Sequence, residues 1–521
     1  MCMKLQADLV VFNGNIITMD PQNPSATALA VKNYKLLVVG GDEQVLDFVT
    51  TARRVIDLGG KTVVPGFVDA HTHITHAGMR SSQVNLESTY SVADVKQALR
   101  KALTRYSAGQ WVRGYGWDES FWAEKRYLTA ADLDEVSTEH PIAIDRVDGH
   151  LTSVNSLALK GMGIPLNQDG VLKDKKGKPT GVLRDVDDLW KKIPPSPEEI
   201  KQGVLAGCEI ANRHGITTLV DNEPPGIFRY VRDCEREELL STRMVVNQHA
   251  EIIKNMVELG LTSGMGGPMV KIGGVKSFAD GSIGARTAAL SEPYADDKSN
   301  KGRMLMSQKE IAALIKKATK NGIQTVTHAI GDEAIESVIS AFESLSESER
   351  SRLRDQRHRI EHAEMISESQ IRRAVSLGLI LSMQPNFVGV WQQKGGLYEQ
   401  RLGPARVASM NMFRVALDNG ARVCFGSDGM PYGPLYGIWS ATTHPNPKVR
   451  LTVEEALRCY TMESAYSAFM EKTVGSLTEG KRADFIILSN SILTIPPDRI
   501  KDLSVEMTIV GGHVKYSATS G

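Results

Sequence analysis

The sequence predicts an α/β fold: a (β/α)8 barrel over residues 64–469, a composite β-sandwich from residues 1–63 and 470–521, and an inserted cap at about 84–196. Three observations predict it. Short apolar runs alternate with helical stretches through the middle of the chain, whereas both ends hold short strands separated by Asn, Gly and Pro turns. Ionisable residues recur at the C-terminal ends of five predicted strands, the end at which such a barrel builds its active site.

A chain of 521 residues exceeds one ordinary domain and can bury a large core. Lys plus Arg and Asp plus Glu both number 61, so no global field attracts nucleic acid or an anionic membrane, and a small-molecule partner is expected. The five cysteines are scattered with no CxxC, which fits reduced thiols in a cytoplasm. The N-terminal apolar run is broken by Asp8, Asn13 and Asn15, and no later segment is long and apolar enough for a membrane span. A soluble cytoplasmic protein is expected.

The N-terminal runs are Asp8 to Phe12, Asn15 to Met19, Ala28 to Val31, Leu36 to Val39 and Arg54 to Asp57. After Gly475, ADFIILS and VEMTIVGGHVKY have the same texture, so one small sheet domain is expected from both termini. The barrel strands are read at Val64 to His71, Ile216 to Asp221, Arg243 to Gln248, Val270 to Lys276, Ile323 to His328, His358 to His362, Leu379 to Gln384 and Arg422 to Ser427. Helical patterns lie between them, among them Glu198 to His214, Glu310 to Lys320, Glu368 to Leu377 and Ala405 to Asn419. The connection after the first strand is too long for a bare loop and reads as an insertion with its own elements, its DKKGKPT tract a solvated hairpin tip.

The barrel opens with VVPGFVDAHTH, residues 63–73. His71 and His73 are spaced i, i+2, so both imidazoles face one way at a strand end, and neutral imidazole suits zinc, iron and nickel. A lone HxH is a weak signal. This one is joined by Lys276, His328, His362 and Asp428 at the ends of the fourth, fifth, sixth and eighth strands. Each has a plainer reading: Lys276 could snorkel or pair with Asp280, Asp428 could cap a helix, and the histidines could be satisfied core imidazoles. Jointly they point to a metal site.

An ammonium cannot ligate a cation, so Lys276 requires a separate account. Burial disfavours the charged amine, and a neutral amine reacts with carbon dioxide to give a carbamate with two oxygens, enough to bridge two divalent ions. Asp428 would bind one ion and accept a proton from the bridging water.

GFVDAHTH, the strand-end Lys, His and His, and the late GSD resemble the amidohydrolase superfamily. More narrowly, GWDESFW, DGHLTSVNSLAL, VKSFADGSIGARTAAL, HAIGDEAI, RIEHAE and GSLTEGKRADFIIL resemble amidohydrolase family 3, which includes N-substituted formamide deformylases. The resemblance runs nearly end to end. It implies a binuclear centre with two divalent ions, zinc foremost, in which His71, His73 and Asp428 hold one ion, His328 and His362 the other, and N-carboxylated Lys276 bridges them. It also implies the composite sandwich and a homodimer. Candidate substrate contacts are Asp280, Ser282 and Arg286 after the Lys strand, Trp117 and His150 in the insertion, and Gln384 at the seventh strand.

The leading expectation is hydrolysis of an amide-like, N-acyl or N-formyl C–N bond in a small molecule, by attack of a metal-bound hydroxide with Asp428 as proton carrier. A mononuclear aminohydrolase of a heterocyclic or amidine substrate is the alternative. It is disfavoured because AIGDEA after His328 displaces Asp332 and Glu333 and leaves Lys276 without a function. A non-catalytic scaffold ranks third, because such relatives can lose ligands and this sequence has a complete set.

Overall fold

A computed structural model describes residues 6–147, 151–184, 186, 194–429 and 431–518, the Phe121 side chain excepted. Eight parallel strands pair in chain order: Phe67–Thr72, Ile216–Asn222, Arg243–His249, Val270–Phe278, Thr325–Ala329, Arg359–His362, Ile380–Met383 and Arg422–Phe425. They are barrel strands 1 to 8 below. Most of their residues are buried, as a parallel sheet covered by helices requires. Strand 8 meets strand 1 just past its own end, where the amide of Asp428 donates to the His71 carbonyl at 2.9 Å and the amide of Ser427 to Asp69 Oδ1 at 3.0 Å. Gly426 permits that approach, since a Cβ there would lie 2.5 Å from the His71 nitrogen.

The first strand differs from its reading as one unit. Thr62–Pro65 belongs to the sandwich, between Asn15–Ile17 and Phe485–Leu488, and the barrel strand starts only at Phe67. Gly66 is the joint: its amide donates to the Asp484 carbonyl, and any side chain there would strike Thr217. The sandwich thus reaches Pro65, beyond the expected boundary at residue 63.

One sandwich sheet has the order His513–Ser517, Val505–Val510, Phe485–Leu488, Thr62–Pro65, Asn15–Ile17, Ser25–Ala26; the other is Lys35–Gly40, Ala28–Lys32, Leu9–Phe12, Arg54–Asp57. Leu9, Val11, Leu29, Val63, Phe485 and Ile509 share one core, so both chain ends bury the same apolar surface. A buried ion pair ties this domain to barrel strand 3: Arg243 Nε donates to Asp484 Oδ2 at 2.6 Å and Nη2 to Oδ1 at 2.9 Å.

Ala405 to Asn419, expected as one helix, is two short ones, Pro404–Val407 and Phe413–Asp418. Between them Asn411 adopts φ 49° and donates its amide to the Glu364 carbonyl at 2.8 Å, a left-handed conformation that asparagine tolerates. The insertion is a compact unit over residues 76–206. Its six-stranded sheet and the Ser91-capped helix Val92–Leu103 enclose a separate core that includes Leu86, Val95, Leu99, Trp117 and Trp122. The DKKGKPT tract is the turn between Val171–Lys173 and Pro179–Arg184, held by Asp174 accepting from the amides of Lys176 and Lys178. Among the described residues no helix is long and apolar enough to cross a membrane.

Gly426→Ala would press a methyl group into the His71 backbone, and overpacking of this kind costs about 1–3 kcal/mol. Denaturant unfolding of the metal-free variant is expected to show that loss. Unchanged stability would mean that the closure of the barrel does not depend on this contact.

Candidate metal centre

The six residues singled out from five strand ends come together. Lys276 Nζ lies 3.2 Å from His71 Nε2. Asp428 Oδ1 is 3.4 Å from His73 Nε2 and 3.7 Å from His71 Nε2. The His362 ring lies 4.9 Å from that of His71 and 4.4 Å from that of His328. Donor atoms of His71, His362 and Asp428 all fall within 4.8 Å of one another, close enough to serve one cation or two neighbouring ones. His362 and Asp428 have φ 71° and 52°, conformations that are costly for residues other than glycine and that cluster at functional sites.

Three of the imidazoles, those of His71, His362 and His328, are oriented by their second nitrogen. His71 Nδ1 is hydrogen-bonded to the Glu361 carboxylate, His362 Nδ1 donates to Gln384 Oε1 at 2.7 Å, and His328 Nε2 donates to the Gly281 carbonyl at 3.0 Å. The nitrogens left to face a cation are Nε2 of His71, Nε2 of His362 and Nδ1 of His328. Burial holds the His71 and His362 rings neutral, well below the usual imidazole range, and pushes His328 down to about 3. Burial likewise pushes the Lys276 amine down to about 8 and the Asp428 carboxyl up to about 7. Neutral imidazoles with free lone pairs, a carboxylate and a lysine that gives up its proton more readily than usual fit a divalent cation.

The residues expected to contact substrate have other partners. Asp280 is fully buried and accepts from the amides of Ala289, Ile330 and Gly331, so it braces the loops after strands 4 and 5. Arg286 forms a two-pronged pair with Asp296, at 3.1 and 2.8 Å. Gln384 serves His362. Trp117 is fully buried in the core of the insertion, its indole N–H on the Ile144 carbonyl at 3.2 Å. Ser282 closes a turn by accepting from the Ala285 amide at 3.3 Å. His150 lies outside the described residues. Strand 4 continues two residues past Lys276 to Phe278, which is 37% exposed and sits 5.1 Å from the Lys276 nitrogen.

Four further residues shape the centre without a role in the sequence reading. Glu361 and Arg359 are fully buried on strand 6, and two charges at i, i+2 in a four-residue buried strand were the signal that could have exposed them. Asp69 accepts from the Ser427 hydroxyl and from the amides of Ser427 and His71, clamping strand 8 to strand 1. Asp221 accepts from the Ile74 amide at 2.7 Å and from the Thr72 and Thr75 hydroxyls, which fixes the chain on both sides of His73.

Because Asp428 and Lys276 must lose protons to act as ligands, cation uptake should release protons and tighten with rising pH. The expected steepening runs from about pH 6 to 8, read by calorimetry in buffers of different ionisation enthalpy. A binding constant flat over that window would contradict the assigned protonation states.

The model of the amidohydrolase family matches residues 54–516. The chain is 30% identical to the protein LONG AFTER FAR-RED 3 of Arabidopsis thaliana, over 98% of this chain and 92% of that one. It is 25% identical to the N-substituted formamide deformylase of Arthrobacter pascens, over 99% and 100% of the two chains. The crystal structure of an uncharacterized metal-dependent hydrolase from Pyrococcus furiosus superposes with a TM-score of 0.81 at 27% identity, covering 93% of this chain and all of the other. By the extent of these matches, the chain belongs to the amidohydrolase family.

Proposed function

We propose that this protein is a metal-dependent hydrolase that cleaves the C–N bond of a small amide-like molecule, an N-acyl or N-formyl amine, with two divalent ions, zinc foremost. The observation that carries the proposal is the position of Lys276. It is 2% exposed, two residues before the end of strand 4, with its nitrogen against an imidazole whose free lone pair faces the same space. Burial opposes the charge that the nearby Glu361 and Asp428 carboxylates favour, and the neutral amine can take up carbon dioxide to give a carbamate whose oxygens would serve as metal ligands. Phe278 covers the amine and limits its access to water.

In this reading His71, His73 and Asp428 would hold one ion and His328 and His362 the other. Bound ions would supply Lewis acidity, acidifying a water and polarising the substrate carbonyl. Asp428, only partly exposed and with a carboxyl pushed up to about 7, is suited to take a proton from that water and deliver it to the leaving nitrogen. Water is thereby divided across the C–N bond: the acyl carbon gains the hydroxyl and leaves as a carboxylic acid, and the nitrogen gains the proton and leaves as an amine. The resemblance to a formamide deformylase supports starting with N-formyl compounds. The aminohydrolase alternative has less support, because Asp332 is held by the amide and hydroxyl of Ser291 and Lys276 would be idle.

Elemental analysis of protein purified with bicarbonate is expected to find two metal equivalents, falling to one or fewer in Lys276→Ala. One equivalent unaffected by the substitution would remove the bridge and make ammonia release from heterocycles the next assay. In the loaded enzyme, Asp428→Asn is expected to lower kcat on an N-formyl or N-acyl amine by about 10²–10⁴-fold. Full turnover in that variant would rule out Asp428 as proton carrier.

A further inference from the structure

We infer that the buried Arg359–Glu361 pair is a positioning device that fixes the tautomer of His71; as a statement about metal binding, this rests on the centre proposed above. A neutral imidazole carries one N–H, and only the Nδ1–H form of His71 presents the Nε2 lone pair to the centre. Glu361 selects that form by accepting at Nδ1. Its own orientation is set by Arg359, whose Nε donates to Oε1 at 2.7 Å and Nη2 to Oε2 at 2.9 Å. The same Nη2 donates to the carbonyl of Ala70, the residue before His71, at 2.7 Å and to Ser382 Oγ at 2.9 Å. One planar group thus ties strand 6 to strands 1 and 7 beneath the histidine, and neither member of the pair has any exposed surface. A carboxylate behind an imidazole also makes it a more basic ligand, which the neutral amide of Gln384 behind His362 does less.

This role predicts an order of effects opposite to that of a structural ion pair. Glu361 Oε2 receives both His71 Nδ1 and Arg359 Nη2, whereas Oε1 receives Arg359 Nε alone. In Glu361→Gln an amide oxygen in the Oε2 position still accepts from both, so the tautomer is kept and zinc affinity in chelator competition is expected to stay near that of the wild type. Arg359→Met combined with Glu361→Leu buries no charge, and replacing buried ion pairs by apolar groups is often tolerated. It leaves His71 Nδ1 without that acceptor, and the double variant is expected to bind zinc about 10–100-fold more weakly. If the pair only braces the barrel, the folded double variant binds zinc as the wild type does.

Zinc affinity within twofold of wild type in the folded double variant, or a loss in E361Q as large as in the double variant, would overturn the inference. Imidazole 15N shifts in the metal-free wild type, with His71 assigned by comparison with His71→Gln, test it without relying on either variant or on metal. Protonated Nδ1 supports the tautomer and protonated Nε2 refutes it. Wild type that takes up no zinc would sink the metal reading, and with it the ligand role of His71, whatever tautomer the shifts report.

Discussion

A buried imidazole has two nitrogens and no water to satisfy either, and that constraint organises this centre. Each histidine must give its N–H to a protein acceptor before its other nitrogen can serve chemistry. Three different acceptors do so here: a carboxylate for His71, an amide for His362 and a backbone carbonyl for His328. Those acceptors must in turn be held. Arg359 holds Glu361, and Asp280, accepting from three amides, braces the loops that carry Gly281 and follow His328. Polar groups that look like substrate contacts in the sequence are thereby committed to positioning.

The same economy operates at the seam of the barrel. Strands 8 and 1 meet where Asp69 receives Ser427, and the Asp428 backbone bonds to the His71 carbonyl. The closure of the sheet and the spacing of two candidate ligands are therefore one event. A distortion that opened the seam would separate His71 from Asp428 before it disturbed the apolar core.

Much of this was legible in the chain. The i, i+2 histidines and the ionisable residues at strand ends follow from strand periodicity and from the end at which parallel barrels present their chemistry. The cap was legible as an insertion because no loop of that length stays bare. What could not be read were pairings across strands. Glu361 meets His71 from 290 residues away, and a glutamate beside a histidine in RIEH carries no mark of which histidine it serves. Asp280 is bound by backbone amides, which have no sequence signature. Trp117 has the composition of a binding residue and the position of a core one. The break at Gly66 was hidden because Val63 and Val64 are as apolar as the barrel strand they precede, although they pack in another sheet.

The sandwich imposes an order on biosynthesis. Thr62–Pro65, the strand that leads directly into barrel strand 1, pairs with Phe485–Leu488, near the other end of the chain. Until that late segment emerges from the ribosome, the nascent N-terminal strands have only part of their sheet, and the strand carrying His71 and His73 enters the barrel from an unfinished anchor. Assembly of the metal-binding end must then be completed largely after translation, through contacts of very long sequence separation, which are slow to form and leave strand edges exposed meanwhile. The strand edges left open in that interval are where a chaperone would act on the nascent chain.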